Sequence, residues 1–282
     1  MTSRFITVPV LIALLAVPAL AMFEDEGSSV RAAGMAGAFC AVADDVSAVA
    51  YNPAGLPQLG GHQFQGFYRL LFGGAGCNLH TGFASFGMPA GRAGVIAVSL
   101  QETGFELHSE RTLRLSHGLV LAEGIAFGYA LNGYNLYQRG VGLEPVDVNG
   151  FAFGLDLAMH GRIYRAWTVG LRIRNINAPR IGSGPQGELP QSVTFGLAFS
   201  PVPGIRSSLD ATKEPGQSTQ LRIGQELRII RDHLVVRAGV QTVPVRLAVG
   251  LRTGTSNIHL DYAVRTHAEL PWTHDLGLTV DF

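Results

Sequence analysis

Through most of this 282-residue chain, large apolar residues recur at every second position. Ile125, Phe127, Tyr129 and Leu131 alternate with Ala126, Gly128 and Ala130. The same pattern runs through Phe151–Leu157, Trp167–Ile173, Val193–Phe199, Val245–Leu251 and Ile258–Val264. A period of two belongs to strands, not helices. The intervening residues narrow the fold further. A water-facing strand face is rich in Lys, Glu and Thr, yet Lys213 is the only lysine here. That face instead carries Gly128, Gly154, Gly170, Gly196, Gly224, Gly239, Gly250 and Gly277, with Ala, Arg and some Asp, Ser and Thr. Small residues suit a crowded concave interior. No amphipathic helix is available to cover the apolar face, but a bilayer would cover it directly. In lipid every backbone group must be paired within the protein, so such strands must close into a barrel.

The pattern predicts an all-β fold, a transmembrane antiparallel β-barrel of about 14 strands. They fall near 61–71, 77–87, 92–101, 105–116, 123–138, 148–159, 164–177, 190–200, 204–212, 218–229, 233–241, 244–253, 256–266 and 272–282. Residues 92–116 alternate poorly. "GMPAG", "FSPVPG", "IIRDH" and "RTGTS" read as tight turns at one end. "QRGVGLEPVD", "APRIGSGPQGELP" and "TKEPGQ" read as longer loops at the other, with "QTVP" short on that side. The last strand carries Leu276, Leu278, Val280 and Phe282 on one face. The terminal aromatic Phe282 is read as a signal for barrel-assembly machinery.

The first residues read as a signal peptide, 1–21: Arg4, an apolar run from Phe5 to Val17, and Ala19-Leu20-Ala21 before a cut at Met22. Residues 22–56 do not alternate. They are small and apolar, with Gly34 and Gly37 for close packing. Asp44 or Asp45 is placed to cap a short helix from Val46 to Tyr51, which Pro53 would end at Asn52. The segment is too short for a domain and fits inside the barrel, 57–282, as a plug. Outside the cytoplasm Cys40 and Cys77 can form one disulfide or remain two buried thiols. No metal motif or cofactor-binding loop appears. Zero net charge excludes a basic nucleic-acid footprint.

The run "GMAGAFCAVADDVSAVAYNPAGL" resembles the N-terminal signature of the FadL-type and PorV/PorQ-type outer-membrane barrels. Gly34, Gly37, Asp44, Asp45, Asn52, Pro53, Ala54 and Gly55 carry the likeness. Asp261-Tyr262-Ala263, Thr273-His274 and Phe282 resemble the PorV/PorQ branch at the C-terminus. The resemblance implies a hatch in a fourteen-stranded barrel of the bacterial outer membrane. It implies passage of hydrophobic or small solutes, or a type IX-like secretion role with secreted cargo as partner. The chain lacks the long loops that gather greasy ligands in FadL-type transporters, which favours the PorV/PorQ-like branch.

The strand pattern points Asp156, Arg172, Arg174, Asp210, Arg222, Glu226, Arg228, Arg237, Arg246, Arg252, Asp261, Arg265 and Asp281 into the lumen. Opposite charges there can pair across strands and block the lumen, giving a closed structural or interaction barrel. Alternatively, the excess of arginine offers a path for anions. In the hatch, Asp44, Asp45 and Asn52 either form local caps and turns or latch the plug to wall arginines. No catalytic residues are assigned: Ser116 and His117 are neighbours on a strand and face opposite ways. His259 and Asp261 share a face without a serine.

Overall fold

The computed structural model describes residues 23–24, 27–74, 76, 78–140, 147–182, 187–230 and 233–282. The signal-peptide reading and Cys77 lie outside the described residues. Fourteen strands form one closed barrel, each hydrogen-bonded antiparallel to its sequence neighbours, and the first to the last. In chain order they are β1 (Gln63–Leu70), β2 (His80–Pro89), β3 (Val95–Phe105), β4 (His108–Ala122), β5 (Ile125–Gln138), β6 (Val148–Tyr164), β7 (Trp167–Arg174), β8 (Ser192–Phe199), β9 (Ile205–Lys213), β10 (Gln220–Ile230), β11 (Leu234–Gln241), β12 (Arg246–Gly254), β13 (Ile258–Arg265) and β14 (Thr273–Asp281).

Closure removes the free edges that an open sheet would expose to lipid. At the seam Arg69 in β1 lies opposite Asp275 in β14. Arg69 is fully buried and donates two bonds to that carboxylate, at 2.7 and 3.0 Å. The last residue is tied in as well, since the Phe282 amide donates to the His62 carbonyl at 2.9 Å.

The outside of the barrel is the apolar face read from the sequence. Phe153 is 77% exposed, Leu276 61% and Phe282 72%. Hydrocarbon covers such a belt without cost, whereas water does not. Aromatic pairs stand on this wall towards both ends: Tyr262 and His274 share a 2.7 Å hydrogen bond at one, and Trp167 stacks on Phe199 at 4.4 Å at the other. Rings with an apolar body and a polar tip suit the membrane interfaces. The segment that alternates poorly in sequence forms a regular strand: in β3, buried Val95, Ala97 and Ser99 alternate with exposed Ile96, Val98 and Leu100. Both of its faces carry apolar residues, because the inner one packs on the plug; pattern alone could not separate them.

The hydrophobic core lies within the lumen. Residues before β1 fold into a plug with α1 (Val30–Gly34), α2 (Ala48–Tyr51) and a 3₁₀ turn over Pro53–Gln58. Val30, Met35, Phe39, Val46, Val49 and Leu56 are buried, and they pack with Phe67, Phe83 and Ala97 of the wall. The 3₁₀ turn ends at Gln58, and Leu59 still packs in this core before β1 opens at Gln63. A second cluster closes the end of the barrel with the longer loops. There Phe23 meets Tyr134 edge-on at 5.0 Å, beside Ile181 and Leu189 of the β7–β8 connection.

The hatch and its seat, a candidate gate

The glycine face is the seat of the plug. A Cβ built on Gly128 would lie 2.3 Å from the Ala54 amide nitrogen, and one on Gly170 would lie 2.3 Å from the Cys40 carbonyl oxygen. Gly196 meets Ala41, Gly224 and Gly239 meet Met35, Gly250 meets Gly34, and Gly277 meets Val30 in the same way. Real Cβ atoms cannot approach so closely. Wall and plug therefore meet backbone to backbone at most of these positions, with the Val30 side chain seated on Gly277, and each glycine is required by its neighbour rather than by its own torsions. Gly154 is the exception in the set: it faces Asn175 and Tyr134, both wall-derived. Gly55 does the same within the plug, where a Cβ would strike the Ala43 carbonyl.

Asn52 ties the turns of the plug together. Its side chain accepts from the Ala54 amide at 3.1 Å and donates to the Cys40 carbonyl at 2.8 Å and to the Met159 carbonyl of β6 at 3.1 Å. One fully buried amide thus starts the 3₁₀ turn and fastens it to the wall. Pro53 follows at the first position of that turn, where its missing N–H costs nothing.

The aspartates divide the two roles set out for them. Asp45 accepts from the Ser47 amide at 2.9 Å, and α2 begins after Ser47, two residues later than the spacing suggested. This is local turn formation. Asp44 reaches the wall: Arg206 of β9 lies 2.6 Å away, and Arg31 of the plug also lies 2.6 Å away on its other oxygen. Burial alone would raise the Asp44 carboxyl above its usual range. Arg31 and Arg206 outweigh burial and hold it down at about 2.

Arg31 is the centre of this network, and the strand pattern gave no hint of it. Its guanidinium meets Asp44, Asp45 at 2.9 Å, and Glu226 of β10 at 2.8 Å, and sits 5.2 Å above the Phe39 ring. Glu226 then pairs with Arg237 at 2.8 Å, Arg237 with Asp261 at 2.6 Å, and Asp261 with Arg252 at 2.9 Å. The chain of charges runs from the hatch across β10, β11, β13 and β12. Such buried charges are tolerable only because each finds a partner. A signal for Arg31 does exist in the sequence: it is the single basic residue between 22 and 56.

The other lumen charges divide by height. Asp156 pairs with Arg172 at 2.8 Å and accepts from Asn132 at 2.9 Å. Arg174 donates to the Phe23 carbonyl at 3.2 Å. Asp210 accepts from the Phe39 and Cys40 amides, both at 2.8 Å. Arg265 lies 3.9 Å from Asp275. Asp281 accepts from Gln63 at 2.6 Å at the lower rim. Arg228 shares the lumen parity and lines the lower cavity beside the Gly204 turn, where it is exposed rather than buried like Glu226. Ser116 and His117 do face opposite ways, Ser116 donating to the Val49 carbonyl of the plug at 3.1 Å. His259 turns to Asp281 at 3.3 Å, while Asp261 belongs to the arginine chain. Cys40 is a buried free thiol.

Two cavities flank the network along the same wall. The upper one, about 330 Å³, lies under the longer loops and is lined by Gly37, Arg172, Thr212, Arg222, Arg246 and Arg265 among others. The lower one, about 320 Å³, is lined by residues 200–206 with Glu226 and Arg228. On β10 the inward positions descend Arg222, Gly224, Glu226, Arg228. The upper and lower cavities are thus separated by Met35 seated on Gly224 and by the Arg31–Glu226–Asp44 cluster below it.

No known family profile matches the chain, and no curated protein matches it by sequence. Solved structures do match by fold. A deltaS2 mutant of the TodX monoaromatic hydrocarbon channel aligns with TM-score 0.71 at 13% identity, covering 92% of this chain and 100% of that one. The toluene transporter TodX of Pseudomonas putida aligns at 0.67 and 12% identity, covering 92% and 99%. A FadL homologue of Pseudomonas aeruginosa aligns at 0.63 and 11%, covering 90% and 98%. At these identities the likeness is one of architecture. The chain has the fourteen-stranded barrel fold of the FadL/TodX outer-membrane channels.

Proposed function

We propose that this chain is a bacterial outer-membrane barrel that passes small solutes through a lumen closed by its N-terminal hatch. The observation that carries this reading is the pair of cavities on either side of a single charged latch on one stretch of wall. A structural partition would have no use for cavities facing each other across a polar contact. The fold neighbours include proteins described as hydrocarbon channels and a toluene transporter, which supports transport through this architecture. Outer-membrane lipid and the barrel-assembly machinery, reading Phe282, are the partners this proposal requires.

Movement of the hatch at Asp44 and Arg31 would join the two cavities. Liposomes loaded with a small dye test this. Replacing Asp44 and Asp45 with alanine should raise dye efflux several-fold over wild type. Unchanged efflux in a variant that still folds would remove the gate.

A second reading has its own support. The hatch buries its core as fully as a soluble domain would, which favours a permanently closed barrel acting through its surfaces. Receipt of secreted cargo, suggested by the PorV/PorQ-like ends, belongs with this reading. It predicts no efflux from any hatch variant that remains seated.

A further inference from the structure

We propose that the upper cavity is a binding site for small water-soluble oxyanions, carboxylates or phosphates, with Arg222 as the principal contact. The inference rests on the transport reading only for its purpose, since binding itself requires no passage. Four arginines border the cavity: Arg172, Arg222, Arg246 and Arg265. Among the described residues the acids that border the cavity are Glu24, Asp210 and Glu214, and Arg265 also lies 3.9 Å from Asp275. Asp210 is turned to the hatch, where one oxygen accepts both the Phe39 and Cys40 amides. Arg172 is engaged by Asp156.

Arg222 differs from the arginines of the latch. Among the described residues it makes no ion pair, and it donates to the neutral Thr212 hydroxyl at 3.2 Å. It lies along Gly37, where a Cβ would come within 3.2 Å of its Cδ. The absence of a side chain at Gly37 thus leaves room for the Arg222 side chain against the plug, at the border of the cavity. The planar fork of arginine matches carboxylate and phosphate oxygens two at a time. A volume of about 330 Å³ is at the small end of the range for small-molecule sites. Thr194, Thr212, Gln220 and Gln241 supply further polar groups to the lining. This chemistry selects hydrophilic anions over neutral hydrocarbons.

Equilibrium binding to the intact protein in non-ionic detergent tests the site, with inorganic phosphate and succinate as separate probes and glycerol as the neutral control. Saturable binding of either anion is expected, weakened by added salt and about tenfold by Arg222→Gln, with Arg222→Lys falling between the two because it keeps the charge but loses the fork. The tighter of the two probes identifies the oxyanion preferred. Equal uptake of glycerol, or an Arg222→Gln protein that binds as wild type does, overturns the site. If Arg222→Gln does not fold, competition between labelled phosphate and unlabelled succinate on wild type decides. Mutual displacement supports a common site, and its absence overturns it. Anion binding without dye efflux from any hatch variant would leave this site standing and remove only the passage reading; efflux without anion binding does the reverse.

Discussion

Arg31 of the hatch meets Glu226 of β10 in a two-pronged ion pair, Nε to Oε2 at 2.8 Å and Nη2 to Oε1 at 3.0 Å. The residues are 195 positions apart, and both are buried. This contact joins the plug to the wall, and the other buried charges of the latch are arranged around it.

Removing one partner should therefore unseat the hatch. Glu226→Ala takes from Arg31 and Arg237 their shared carboxylate, leaving Asp44 and Asp45 to the one and Asp261 to the other, so the loss should stay below the roughly 3–5 kcal/mol of a buried charge left with no partner. The barrel itself, held by its own ladder, should persist. Limited proteolysis should cut the hatch of the variant faster than that of wild type while the strands stay protected.

The glycine seat makes a different prediction. Gly128→Ala and Gly239→Ala place a methyl group into the backbone of Ala54 and Met35 respectively. Overpacking of this kind costs about 1–3 kcal/mol, and here it should appear as displaced hatch rather than as lost strand content. Gly82→Ala, with nothing within 4 Å, is the control and should behave as wild type. Hydrogen exchange of residues 30–56 would show the difference.

Acid should loosen the latch in a narrow window. The Asp44 carboxyl is held at about 2, below its usual 3.8, so the folded state favours its charged form. Its contribution is complete above the unfolded value, near pH 4, and is lost as pH falls through about 2. Pepsin digestion of the hatch should accelerate across that interval in wild type. Asp44→Asn, which cannot be protonated, should show a loosened hatch already at pH 4 and no further step attributable to this group.

The outer face should obey the bilayer. Leu131 stands mid-strand in β5 and is 52% exposed. Leu131→Arg should destabilise the barrel in lipid vesicles by about 2–4 kcal/mol if it lies at the midplane, as charged residues there do. Equilibrium unfolding in urea with vesicles present would measure it. Phe282→Ala should chiefly slow assembly, read as a smaller folded fraction at early times.

The barrel was legible because its rule is local. Every strand must alternate, since one face meets hydrocarbon and the other the lumen, and that requirement is written residue by residue. The strands, the short and long connections and the glycine face all followed from it. What the sequence could not disclose was who fills the lumen at each height. The glycines pointed to crowding, but that Gly128 receives Ala54 and Gly239 receives Met35 depends on how the plug is folded. The charge partners were hidden for the same reason: cross-strand pairs such as Arg69 with Asp275 need the register of the first and last strands, and Arg31 with Glu226 needs the hatch in place. A side chain's direction is fixed by its neighbours along the chain; its partner is fixed by closure, which brings together residues that sequence distance keeps apart.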